Sequence, residues 1–329
     1  MKTFNYFQKL TTKEVMKNFL YKSSNNILIS ERENPWPPLV LDEWIKTYKT
    51  LHLWMQIVGK IKLSFSPKLN HWWHITFTPT AEGLTTGLIP YHNSYFQIDF
   101  DFIDHKLYIK TNEGKFDSLD LYSRSVADFY IETKEKLRHL GIEINIWTTP
   151  VEMEERIPFE RDFTHKTYDK KYVETFHKIL LGADHVMRVF RSEFIGKSSP
   201  VHFFWGAMDL AVTFFSGKHA PAHPGVPNVS KEVMVEAYSK ELSSYGFWPG
   251  LGLGEPAFYA YAYPQPDKFN TSKMPEGAYY NDALGEFILP YEKVRTSESP
   301  KEMILSFFKA VFIASARLNK WDEGLICYK

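Results

Sequence analysis

Four polar residues, His202, Asp209, Thr213 and Ser216, interrupt a stretch that is otherwise strongly apolar, at spacings of seven, four and three. On a helix those spacings put all four on one narrow stripe. An imidazole and a carboxylate on a buried stripe are costly unless they are used. The chemistry they suit is proton transfer, with His202 as acid/base and Asp209 as its orienter, or ligation of a metal by both. The structural alternative is that the stripe hydrogen-bonds neighbouring helices and loops, as buried polar groups nearly always do.

Just upstream, Gly196-Lys197-Ser198-Ser199 ends like a phosphate-binding loop, but Arg191 stands where the first glycine would fall and no strand precedes it. A nucleoside triphosphate site is therefore not expected. Free amides at a helix start, with Lys197 and Ser198, would suit a small anion or a ligand carboxylate, against the ordinary alternative of a serine cap. Arg124 is a further anion partner by residue type. Gly252-Leu253-Gly254-Glu255-Pro256-Ala257 matches a dinucleotide pattern by letter only, because Pro256 and an alternating Phe258-to-Tyr261 run follow it instead of a helix.

The histidines raise a metal hypothesis. His219 and His223 lie four apart in a loop and, with Glu236 and His202, make a donor set that suits zinc or a similar divalent ion. His71 and His74 flank two tryptophans; on a strand they would face opposite sides. The aromatic clusters around Trp72, Trp205, Trp248 and Tyr261 belong to a core by default. Alternation nevertheless places Tyr259 and Tyr261 on one strand face, where their hydroxyls, with Trp205 nearby, would wall a polar ligand.

The elements that must hold these residues follow from period and punctuation. Asp42 is expected to cap a helix on which Trp44, Tyr48, Leu51, Met55 and Val58 recur at helical spacing. From His71 the period turns to that of strands, through Ile75, Phe77, Phe96, Ile98, Phe100, Phe102, Leu107 and Ile109, with Asp104-His105 as a hairpin turn. Ser125 and Asp128 resemble a capping box opening a helix that Gly141 closes, and Ile142, Ile144 and Ile146 read as another strand. Asp169 caps a helix carrying Val173 to Phe194. Ser199-Pro200 opens a buried helix over residues 201–216 that Gly217 would end, Ser230 starts a helix ending near Gly246, and Ser299-Pro300-Lys301-Glu302 caps a last helix reaching Asn319. Residues 258–263 and 286–289 are expected strands. The fold class is α+β: mainly antiparallel sheet with helices packed against it, the second half more helical.

Residues 1–34 read as an N-terminal extension, residues 35–150 as an α+β half and residues 151–329 as a helix-rich half, with the charged connector 150–166 as the boundary or as the middle of one continuous domain. The chain has 329 residues with 39 basic against 39 acidic ones, so neither a nucleic-acid binder nor an anionic-membrane binder working by bulk charge is expected. Cys327 is the only cysteine, which excludes an intramolecular disulfide and, with no secretory signal, points to a cytoplasmic protein.

Four segments carry a resemblance: Asn70-His71-Trp72-Trp73-His74, Arg124-Ser125-Val126-Ala127-Asp128-Phe129-Tyr130, Ser199-Pro200-Val201-His202-Phe203-Phe204-Trp205-Gly206 and Gly246-Phe247-Trp248-Pro249-Gly250. Together they resemble an uncharacterised bacterial domain-of-unknown-function family from about Trp36 to Asp322. The resemblance implies no activity, cofactor or catalytic residue. In that family an Arg commonly stands at the position of Phe214 and a His at that of Lys240, so any site needing either group is in doubt here. The expected function is therefore a small polar or anionic ligand bound in an aromatic-walled pocket near residues 200–216, with His202 and Asp209 available for enzyme chemistry. The alternatives are a metal-dependent hydrolase on His219, His223 and Glu236, and a non-enzymatic interaction protein.

Overall fold

A 25-residue helix, α1 (Leu41–Phe65), begins one residue ahead of Asp42, which lies in its first turn and is not its cap. It carries Trp44, Tyr48, Leu51, Met55 and Val58 on one buried face as their spacing requires, but Leu53, Trp54, Ile57 and Ile61 on its other sides are buried too. A helix apolar around most of its circumference needs packing on every side. Trp54 meets it by stacking on Phe129 and Tyr168, with ring centroids 4.6 and 5.4 Å away.

The computed structural model describes residues 36–225 and 228–325; the expected N-terminal extension and Cys327 lie outside the described residues. After α1 come a 3-10 helix over Asn70–Ile75 and the strands β1 (Thr78–Pro79), β2 (Gly83–Thr85), β3 (Ile89–Tyr91), β4 (Ser94–Asp101), β5 (Lys106–Thr111) and β6 (Phe116–Asp120). They form an antiparallel sheet in the order β1-β2-β4-β5-β6, with β3 also on β4. The 104–105 turn closes the β4–β5 hairpin, where the Asp101 carboxylate accepts from the amides of Ile103 and Asp104. Helix α2 (Val126–His139) follows, its Ser125 hydroxyl accepting from the Asp128 amide at 3.0 Å as the capping box predicts. Then comes α3 (Lys170–Ser192), capped by Asp169.

The second half holds β7 (His202–Phe204), β8 (Asp209–His219), α4 (Lys231–Ala237), β9 (Lys240–Trp248), β10 (Ala257–Tyr263), β11 (Tyr279–Asn281), β12 (Glu286–Pro290), α5 (Tyr291–Arg295) and α6 (Pro300–Leu318). Its strands make a second antiparallel sheet in the order β11-β12-β10-β9-β8-β7. Two antiparallel sheets with packed helices make this an α+β fold. From Trp36 onward the described residues form one compact unit, and none of their helices is long and apolar enough to cross a membrane.

Four expected elements come out differently. Residues 201–216 are not a helix but the β7–β8 hairpin, turning at Gly206 and Met208. Leu210, Val212 and Phe214 point to one face and Ala211, Thr213 and Phe215 to the other; both faces are covered, so the period of two is masked by a continuous apolar run. Ser199 caps nothing there: its hydroxyl accepts from the Thr213 amide at 2.9 Å. The helix from Ser230 stops at Ala237, and the chain onward to Trp248 is β9, whose Val-free but aromatic residues pack between β8 and β10. Residues 71–75 coil as a 3-10 helix with His71 and Trp72 at φ 56° and 62°. Ile142, Ile144 and Ile146 alternate in burial but join no strand ladder among the described residues; alternation reports a packed face, not pairing. At the last helix Pro300 starts the first turn as expected, while Ser299 contributes its carbonyl to the Met303 amide at 3.0 Å and no side-chain cap.

Candidate functional site

The second sheet has two unlike faces. One packs on α3 and α6 through an aromatic layer in which Phe214 stacks on Phe194 with centroids 4.2 Å apart and Tyr245 meets Phe190 at 4.7 Å. The opposite face opens on a cavity of about 370 Å³. Cross-strand register sets its floor in two rows, Ala211–Gly246–Tyr259–Ile288 and Thr213–Ser244–Tyr261. The 3-10 helix contributes Trp72 and Trp73 to the lining, and α4 contributes Val233, Met234 and Ala237.

Space for the site comes from small residues. At Gly246 a Cβ would sit 2.4 Å from the Tyr259 Cζ and hydroxyl and 2.5 Å from the Leu210 carbonyl oxygen, so glycine lets the Tyr259 ring lie across β9 and reach β8. There the Tyr259 hydroxyl donates to Asp209 Oδ2 in a buried, short contact. The remaining floor hydroxyls pair among themselves: Thr213 Oγ1 with Ser244 Oγ at 3.0 Å, and Tyr238 with Tyr261 at 3.0 Å.

A second carboxyl group, Glu152, enters from the 147–153 segment, and α1 fixes that segment with a polar stripe. His52, Gln56 and Lys60 follow at four-residue spacing, hence on one helix face. Gln56 grips Val151 twice, accepting from its amide at 2.9 Å and donating to its carbonyl at 2.8 Å. Lys60 Nζ donates to the carbonyls of Trp147, at 3.0 Å, and Thr149, and its ammonium lies 4.3 Å from the Trp147 ring centroid. Burial pulls the Lys60 pKa down to about 8. His52 Nε2 lies 3.0 and 2.8 Å from the carbonyls of Trp205 and Gly206, so that nitrogen carries the proton. Glu152 itself sits at φ 56°, a conformation that costs an L residue on the order of 1–3 kcal/mol and persists only where surroundings impose it. Its carboxylate rests where a Cβ on Gly206 would stand, 2.1 Å from Oε1.

With Glu286 on β12, three carboxyl groups line the cavity and, among the described residues, no Lys or Arg does. Burial, and after it the charge of Asp209, raises Glu152 to about 7 and Glu286 to about 8. Asp209 is raised to about 6 by burial, against the opposing pull of the Tyr259 hydrogen bond. Glu152 is exposed and Glu286 half-buried, whereas Asp209 is 8% exposed. The charge of Asp209 opposes ionisation of both Glu152 and Glu286.

The residues singled out by sequence fall into distinct places. Asp209, Tyr259 and Tyr261 stand together in the cavity. His202 shares their sheet face, but its ring packs against Phe204 at 4.7 Å and Trp73 at 6.2 Å, its Nδ1 is 3.3 Å from the Thr76 hydroxyl, and it does not line the cavity. No hydrogen bond joins it to Asp209, whose partner is Tyr259, so the expected orienting pair is not formed. Burial, then the charges of Lys62 and Arg191, lowers the His202 pKa to about 3. Lys197 is exposed and donates to His71 Nε2 at 3.2 Å, leaving His71 Nδ1–H for the Ala237 carbonyl. Ser198 accepts from Arg191 at 3.1 Å. Trp205 donates to the Ile75 carbonyl at 2.8 Å with its ring against Gly59. Arg124 pairs with Glu132 at 2.5 Å beside a separate hollow on α2.

The expected metal set is not gathered. His219 lies 3.1 Å from Lys240, the His223 ring packs on Tyr238 at 4.4 Å, and Glu236 pairs with Lys68 at 2.6 Å. Among the described residues no three His, Cys, Asp or Glu side chains are arranged to hold a metal ion. Phe214 lies on the opposite sheet face, so an Arg there would not reach the cavity.

Sequence reasoning missed Glu152, Glu286 and Tyr238. Glu286 had a signal, an acid opening an otherwise apolar strand; Glu152 had none, standing in a connector rich in glutamates. Residues 36–327 match the family model described as a family of unknown function, DUF5996, and the chain belongs to that family. No curated protein and no solved structure matches the chain.

Proposed function

We propose that this protein binds a small polar organic ligand in the cavity on the open face of the second sheet. The observation that carries the reading is the convergence of Glu152, Asp209 and Glu286, from three separate segments, on one aromatic-walled cavity of about 370 Å³. That volume lies in the range of pockets that enclose a small molecule. Cavity acids whose pKa is raised by their surroundings are also a recurring feature of functional sites. Proton transfer to or from a bound ligand would run through these carboxyl groups, because His202 does not line the cavity. The acids disfavour the anionic ligand expected from the Lys197 segment. A cytoplasmic setting belongs to the same proposal, supported by the single cysteine.

The test is displacement. Ala211 is buried in the cavity floor at 4% exposure, so Ala211→Trp fills the space from a position that carries no polar group. Ligand-observed NMR of wild type against a mixed library of cationic, neutral and anionic small molecules should yield hits that the folded variant fails to bind. Hits that bind Ala211→Trp as well as wild type would refute the cavity as the site.

A further inference from the structure

The cavity's polar groups are unequally committed. Its hydroxyls are engaged within the wall: Tyr259 donates to Asp209, Thr213 and Ser244 share one hydrogen bond, and Tyr238 and Tyr261 share another. What faces the cavity unspent is acceptor capacity on Glu152, Asp209 and Glu286, between the rings of Trp72, Phe204 and Trp248. Lys197 is turned onto His71 and the ring of Phe215 and does not line the space. An anion finds no Lys or Arg in such a lining, and a neutral polyol would leave three acids without a counter-charge. A positive charge finds both carboxylates and aromatic faces.

Resting on the reading of the cavity as a ligand site, we infer that its ligand is an organic cation, an amine or ammonium compound neutralised by Glu152, Asp209 and Glu286 with its carbon skeleton against the aromatic walls. The elevated carboxyl pKa values fit this assignment. The other titratable groups facing the three acids are Tyr238, Tyr259, Tyr261 and His71, and none of them supplies a positive charge at neutral pH: the tyrosines are raised and His71 is lowered by burial. An incoming cation therefore draws protons off the carboxyl groups, and binding tightens as pH rises through their range.

The experiment uses three probes of matched chain length: putrescine, its diol counterpart and succinate, titrated calorimetrically into the full chain at about pH 6 and about pH 8 in buffers of different ionisation enthalpy. Putrescine is expected to bind about tenfold or more tighter than the diol, to release protons, to bind more tightly at the higher pH, and to lose binding in Ala211→Trp and in Glu286→Gln. Diol or succinate binding as tight as putrescine, or putrescine binding unchanged in Ala211→Trp, overturns the inference. If no probe binds while Ala211→Trp still abolishes other library hits, the cation assignment falls and the cavity reading stands. If Ala211→Trp abolishes nothing, both fall.

Discussion

Glu286 provides a direct measure of how strongly the cavity strains its own acids. Its carboxyl is raised from 4.5 to about 8, by burial first and by the charge of Asp209 second. Because the folded-state value lies above the unfolded one, the favourable contribution is complete below about pH 4.5 and is lost as pH climbs through 8. At 1.36 kcal/mol per pH unit the ceiling is about 5 kcal/mol. The side chain is only half-buried, and solvent screening brings the expected value down to about 1–2 kcal/mol. Glutamine keeps the shape and cannot ionise. Glu286→Gln should therefore match wild type near pH 5 and exceed it near pH 9, by roughly 2–6 °C in melting temperature. Calorimetric melting of both proteins across that range, with the exposed acid Glu276→Gln as background, is the assay. A difference between Glu286→Gln and wild type that stays flat with pH would refute the coupled-acid picture of the cavity.

Three further outcomes follow from the same geometry. Lys60→Met removes the donor shared by the Trp147 and Thr149 carbonyls and should cost about 2 kcal/mol in chemical denaturation, with faster amide exchange confined to the segment carrying Glu152; unaltered exchange there would deny Lys60 its positioning role. Gly246→Ala drives a Cβ into Tyr259 and the Leu210 carbonyl and should destabilise by about 1–3 kcal/mol, so a loss under about 0.5 kcal/mol would mean that the ring does not lie across β9. The His202 ring, kept neutral down to about pH 3, should show constant carbon-bound proton shifts between about pH 8 and pH 5 by NMR, whereas an inflection near its ordinary pKa of 6.5 would contradict its burial.

Local chemistry and periodicity alone determined a good part of this fold. The α1 face from Trp44 to Val58, the Ser125 and Asp169 caps, the β4–β5 hairpin and the α+β class are all written in short-range patterns whose physical causes act within a few residues. So is the shared strand face of Tyr259 and Tyr261. Short-range pattern failed where a segment is covered on both sides: residues 201–216 lost their alternation because α3 and α6 bury one face and the cavity wall the other, leaving an apolar run that serves strand and helix equally. The site depended on tertiary structure for a different reason. A carboxyl group acquires unusual chemistry from what surrounds it, and Glu152, Asp209 and Glu286 lie far apart in sequence. Only the folded sheet, the glycine gap at Gly246 and the polar grip of His52, Gln56 and Lys60 on the neighbouring segments bring them into one aromatic enclosure, where burial raises all three pKa values and the charge of Asp209 adds to the rise at Glu152 and Glu286.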